Sequence, residues 1–126
     1  MGFLMRKSRP GIKLRDVDAL FSRYIRGRDG ACVRCGKLDR LQAAHVISRR
    51  YHGTRYDEGN CHALCIYCHM WETHHPLEGQ EFWKSFLGPD VFEALRARAM
   101  IHRGKLDLKE IAVDLREKLR GLESAA

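Results

Sequence analysis

Cys32 and Cys35 form one Cys-x2-Cys pair and Cys65 and Cys68 another, with residues 36 to 64 between them. A two-residue gap lets two thiolates reach one ion, and two such pairs complete a closed tetrahedral site for zinc. A closed site holds structure together and offers no open position for a reaction. The stretch LQAAHVISRRYHGTRYDEGNCHALCIYCHMWETHH, residues 41 to 75, carries all but one of the chain's seven histidines. Imidazoles ligate metals and exchange protons near neutral pH. The cysteines and histidines therefore raise two chemistries, a structural clip and a bond-cutting or metal-assisted site inside it. Cys61, the fifth cysteine, reads as a small apolar residue in a strand.

His45 ends an apolar run, Asn60 opens the next, and His69 follows Cys68 directly. The segment NCHALCIYCH reads as Asn-x4-Cys-x2-Cys-His, and AHVISRR is followed by Arg55 before Asn60. Over residues 32 to 75 the chain resembles the HNH nucleases, the ββα-metal or His-Me finger superfamily. Within it the segment is similar to the phage NinG/Rap-type recombination nucleases and small phage or prophage HNH proteins. The resemblance implies a ββα core and a DNA endonuclease that hydrolyses phosphodiesters in duplex or branched DNA. It implies His45 as general base, His69 as ligand of a catalytic divalent ion (Mg²⁺, Mn²⁺, Co²⁺, Ni²⁺ or Zn²⁺), and Asn60 as the brace that orients His45. With no membrane span or signal peptide read in the sequence, the default setting expected is cytoplasmic, and the resemblance implies a bacterium or a phage-infected host cell.

Physical chemistry agrees with that division of labour. A neutral histidine can take the proton of an attacking water, and a divalent ion can relieve charge on the phosphate and the leaving oxygen. An ordinary histidine titrates near 6.5, so cleavage is expected to climb through about pH 6 to 7.5. Many family members carry an acid or histidine just before the base, where this chain has Ala44. His62, His74 and His75 are the candidates to supply a missing ligand. Thr73 stands four residues after His69, so the His-x3-His pair of the colicin DNases is absent. Arg49, Arg50 and Arg55 are candidate phosphate contacts, because guanidinium forks match phosphate oxygens. Tyr51 and Tyr56 either stack on bases or pack; His52 and His102 read as surface residues.

Two other classes compete. A non-catalytic zinc-binding DNA-binding module would explain the cysteines and the charge, but not the His45, Asn60 and His69 set. A zinc deaminase would need His-x-Glu and Pro-Cys-x-x-Cys. From His45 the chain reads HVI, and Leu64 precedes Cys65, so that signature is missing.

The elements that must position these residues follow from hydrophobic periodicity. Leu14, Val17, Leu20, Phe21, Tyr24 and Ile25 share one helical face ending at Gly30. LQAAHVIS and CHALC read as short strands, the first weakened by its two alanines. RRYHGTRYDEGN reads as a loop and IYCHMWETHH as a short helix before Pro76. The remainder, about 78 to 122, reads as helices: one stopping at Gly88, one starting at Pro89, and one opening on an Asp107/Glu110 capping box. Trp71, Trp83 and the phenylalanines are expected in the core. The fold class expected is α+β and mostly helical: a small ββα core with a four-cysteine zinc clip, flanked by an N-terminal helix and C-terminal helices.

The chain has 126 residues, which suits one domain with a small core that a metal clip would help. Its 23 Lys+Arg against 16 Asp+Glu give +7, a balance that favours a polyanionic partner such as DNA. Residues 1 to 13 read as a basic arm. No apolar run reaches the roughly 18 residues of a membrane span, and MGFLM is too short for a signal peptide. In a reducing cytoplasm paired cysteines indicate metal more often than disulfides. A monomer and a homodimer are both compatible with the sequence. The stripe of the last helix is expected to pack onto its own core.

Overall fold

A computed structural model describes residues 11–101 and 104–125, so most of the expected basic arm, and His102, lie outside the described residues. The order is α1 (Leu14–Asp29), β1 (Leu41–His45), α2 (His52–Arg55), a 3-10 turn (Glu58–Asn60), β2 (Cys61–Cys65), α3 (Ile66–His74), α4 (Pro76–Leu87), α5 (Pro89–Ala99) and α6 (Leu108–Ala125). The architecture is α+β and mostly helical, with a small two-stranded sheet.

The sheet is an antiparallel ribbon in which Leu41 faces Cys65 and His45 faces Cys61. Side chains alternate between its faces. Ala43 and Cys61 turn towards Val17, Phe21 and Ile25 of α1 and Ala112 and Leu115 of α6. Ala44 and Leu64 turn the other way, into a cluster with Trp83, Phe92 and Leu95. Helices therefore cover both faces. This explains the alanines that weaken the strand pattern in the sequence: small side chains let two helical layers approach one ribbon. The outer edge of β2 is also satisfied. Val33 N–H donates to the Ala63 carbonyl at 2.9 Å, and Ala63 N–H donates to Asp29 Oδ2 at 2.7 Å. Arg28 adds bonds to the carbonyls of Glu58 and Cys61, so the end of α1 is fastened to the entry of β2.

Helix α1 stops where its sequence requires it. Gly30 takes a left-handed conformation (φ 68°) and its N–H returns to the Arg26 carbonyl. At the other end of the chain, Glu110 N–H donates to Asp107 Oδ1 at 3.1 Å, as a capping aspartate should.

Two expectations change. The segment read as a plain loop contains α2 and the 3-10 turn. Gly53 lets α2 lie against the end of α5, since a Cβ there would meet the Arg98 carbonyl oxygen at 2.8 Å. Among the aromatics, Trp83, Phe21 and Phe92 are buried, but Phe86 is 43% exposed. Trp71 is only partly covered, stacked on His75 with the Arg34 guanidinium 3.7 Å from its ring centroid. Phe86 touches Phe82, Trp83 and His62 at the rim of the core yet stays partly in solvent, so size alone did not draw either ring fully inside.

Candidate functional site

The first Cys-x2-Cys pair lies in the turn after α1. That turn is closed by bonds from Cys32 N–H to the Lys37 carbonyl and from Gly36 N–H to the Cys32 carbonyl. Gly36 takes φ 82°, a conformation that favours glycine. The second pair spans the junction of β2 and α3, where Cys65 Sγ caps the helix by accepting from Cys68 N–H. The Val33–Ala63 bond brings the two turns together, and the four sulfurs lie within 4.8 Å of one another. Zn–S bonds of about 2.3 Å would place tetrahedral sulfurs about 3.8 Å apart. The Cys35–Cys65 separation of 3.6 Å fits that spacing, so the cluster could hold a structural metal such as zinc.

The electrostatics favour a cation among the sulfurs. Burial pushes the Cys32 thiol up, but backbone N–H groups of Cys65, Cys35 and Arg34 outweigh it and bring it down to about 6. Cys68 moves oppositely, to about 12, through burial and the neighbouring sulfurs, although Arg34 opposes this by donating to its Sγ at 3.4 Å. The opposition is physical: one thiolate resists a second beside it, and a divalent cation removes that resistance. Cys61 stands outside the cluster, buried on the α1 side of the ribbon, where burial raises its thiol to about 12.

A cleft of about 590 Å³ opens between α1, β1 and α3, lined among others by Asp18, Arg26, Gln42, His45, Arg49 and His69. His45 reaches it from the end of β1 and His69 from the first turn of α3. His45 Nε2 lies 2.9 Å from the Arg55 carbonyl oxygen. A carbonyl only accepts, so Nε2 carries the proton and Nδ1 the lone pair. Nδ1 has only a weak contact, the Cys61 Sγ at 3.8 Å. Burial pushes the imidazole below its ordinary 6.5; the Arg49 and Arg55 charges push the same way, and the Arg55 carbonyl and Asp18 do not cancel them. His69 Nδ1 donates to Gln42 Oε1 at 2.7 Å, which leaves its Nε2 free to act as a ligand.

Asn60 is fully buried and its amide is fully used. Oδ1 accepts from Ile47 N–H at 2.7 Å, and Nδ2 donates to the carbonyls of Ile47 and Thr54. It thus ties the chain just after His45 to the chain just before Arg55, whose carbonyl holds the His45 ring.

The remaining candidates separate. Arg55 does not stand ready for a phosphate. Its guanidinium grips Asp18 at 2.6 and 3.1 Å, donates to the Arg49 carbonyl, and is 12% exposed. Arg49 is largely exposed at the cleft, with a looser 3.6 Å approach to Asp18, and Arg50 is exposed beside it. Tyr56 packs edge-on against Phe21 with its hydroxyl on Asp18, while Tyr51 and His52 are exposed. His62 is paired with Ala44 on the opposite face of the ribbon from His45, against Trp83 and Phe86. Its Nδ1 meets Arg28. His74 and His75 are exposed towards the end of α3, and neither lines the cleft. Ala44 is fully buried in the cluster with Leu64 and Trp83 and offers no ligand atom. Sequence reasoning missed Asp18, Arg26 and Gln42. Gln42 carried a signal, as a polar residue besides His45 in an otherwise apolar strand; the two α1 residues looked like ordinary solvated positions.

No helix among the described residues is long and apolar enough to cross a membrane. Comparison with protein-family models, with curated proteins and with solved structures finds no significant match.

Proposed function

We propose that this protein is a metal-dependent DNA endonuclease of the His-Me finger type, cutting a phosphodiester bond of duplex or branched DNA held in the α1–β1–α3 cleft. One observation carries the reading: His45 and His69 converge on that cleft from a strand and a helix, with their ring tautomers set by different acceptors. The four-cysteine cluster takes zinc in this reading and stays outside the reaction, since four thiolates leave no open coordination position.

His45 Nδ1 accepts a proton from water, while the Nε2–H bond to Arg55 keeps the ring from turning. Asn60 keeps that acceptor in place by holding both ends of the connecting loop. Arg49, and Arg26 across the cleft on α1, offer positive charge to a phosphate. A divalent ion held at His69 Nε2 would supply charge relief to the phosphate and its leaving oxygen. The net charge of +7 draws a polyanion towards the surface.

The test is nicking of supercoiled plasmid by protein purified with its zinc, in Mg²⁺ or Mn²⁺. Relaxed circles should appear with the ion and vanish with EDTA under conditions that leave the thermal melt unchanged. DNA binding with no cutting in any divalent ion would instead make the protein a non-cutting zinc module.

The environment of His45 revises the pH expectation. The base works unprotonated, so the rate rises as pH climbs through its pKa. Burial lowers that pKa, so the rise should be centred below pH 6.5 rather than on it. A single-turnover profile centred at or above 6.5 would take this role from His45.

The two arginines should separate in binding and stability. Arg49→Ala should reduce the slope of log affinity against log salt by about one phosphate contact and leave the melt unchanged. Arg55→Ala should leave that slope alone but cost about 1–3 kcal/mol of stability, because Asp18 loses both guanidinium bonds, keeping only Tyr56 and the looser Arg49, and the Arg49 carbonyl loses its donor. Salt titrations and denaturant melts on both variants check this. A flatter slope in Arg55→Ala at parental stability would reverse the assignment.

A further inference from the structure

We infer that Glu72 is the carboxylate that completes a divalent-cation site with His69. This rests on His69 holding the ion in the reading above, and it gives a source for the ligand that Ala44 cannot provide. Glu72 lies three residues after His69 on α3, and its Oε2 sits 4.0 Å from His69 Nε2. Carboxylate and imidazole three residues apart on one helix face form a recurrent metal-binding pair. Ligand bonds of about 2.0–2.2 Å bring such atoms to roughly 3 Å apart, so side-chain rotations that move them about 1 Å closer complete the site.

Both side chains are held ready by groups that do not use the ligating atoms. His69 Nδ1–H is taken by Gln42 Oε1, which fixes the tautomer with its lone pair at Nε2. Glu72 Oε1 accepts from the indole N–H of the buried Trp83 at 3.2 Å, leaving Oε2 on the His69 side. The carboxylate stem is seated against Gly79 of α4, where an added Cβ would come within 2.9 Å of Glu72 Cγ. A surface ion pair would need none of this support. Two protein ligands leave the other coordination positions to water and to phosphate oxygens. The same helix carries no third ligand at the next turn, because Thr73 bonds the His69 carbonyl.

The experiment is Mn²⁺ titration of the zinc-loaded protein, read by calorimetry or by the loss of the free-ion electron paramagnetic signal. Mn²⁺ prefers oxygen and imidazole ligands and does not compete for a thiolate cluster. The parent should bind one equivalent, and Glu72→Gln and His69→Ala should each bind at least tenfold more weakly. Glu72→Gln keeps an oxygen for Trp83, so its melt and zinc content should match the parent. If it melts early, Glu72→Asp, which keeps the charge but withdraws the carboxylate by one methylene, decides in its place by the same tenfold loss. Gln42→Ala should weaken Mn²⁺ by about tenfold, as expected for loss of a residue that orients a ligand. One equivalent bound by the parent and weakened in these variants supports the site even if the protein cuts nothing. No binding by the parent, or parental affinity in the Glu72 variants, overturns it even if the protein cuts.

Discussion

Cys65→Ser is expected to yield a chain that neither retains a tightly bound metal nor melts cooperatively. Cys65 does three things at once: it ends β2, it caps α3 through its sulfur, and it faces the other three thiols of the cluster. Structural zinc contributes on the order of 10–16 kcal/mol of apparent binding free energy in small folds, against a total stability of about 5–15 kcal/mol for a typical domain. A serine hydroxyl is a poor substitute for a thiolate, so the variant loses more than the fold has to spare. Elemental analysis of the parent, purified without added metal, should give one zinc per chain; the variant should give none and lose its thermal transition. Cys61→Ala is the control, because Cys61 is equally buried but lies outside the four-sulfur set. It should keep its zinc and melt as one transition. A folded, metal-free parent would show that the four thiols do not form a structural zinc site.

The features legible in the sequence were those written in local spacing. The Cys-x2-Cys pairs, the helical stripe of α1, the Pro89 start and the Gly30 stop each need only a few neighbouring residues to be read. What escaped depended on partners far along the chain. Arg55 sits among arginines in a polar segment and reads as a phosphate contact, yet its partner Asp18 lies 37 residues earlier on a helix packed alongside. Ala43 and Ala44 weaken a strand pattern because the pattern assumes one covered face, and here helices cover two. His62 reads in the sequence as a candidate ligand beside the base His45, but opposite positions in the pleat send the two to opposite sides of the ribbon. Gln42 and Glu72 carry no motif. Their importance comes from the single hydrogen bond each makes beside a candidate functional histidine, and that is a property of the folded geometry.

His45→Gln is expected to lose about 10²- to 10⁴-fold in plasmid nicking, the usual contribution of a positioned general base. The choice of glutamine follows from the packing. His45→Ala would leave the Arg55 carbonyl without its donor and open space beside Phe21, whose ring centroid lies 5.8 Å away. An unmade bond of that kind costs about 1–3 kcal/mol, so a loss of activity in the alanine variant could reflect instability. A glutamine amide can place an N–H close to where Nε2 stands and keep that bond, but it has no basic nitrogen at neutral pH. The variant should therefore retain its zinc, its melting temperature to within a few degrees, and its DNA affinity, since neither the thiol cluster nor Arg49 touches the Nδ1 lone pair. Raising the divalent-ion concentration should not restore cutting in His45→Gln, whereas it should partly restore it in His69→Ala, where the defect lies in holding the ion. The comparison is plasmid nicking and DNA binding by parent, His45→Gln and His69→Ala at matched protein stability. Parental cutting by His45→Gln would remove the base from the cleft and, with it, the nuclease reading; the chain would then be a zinc-clipped module that binds DNA without cutting it.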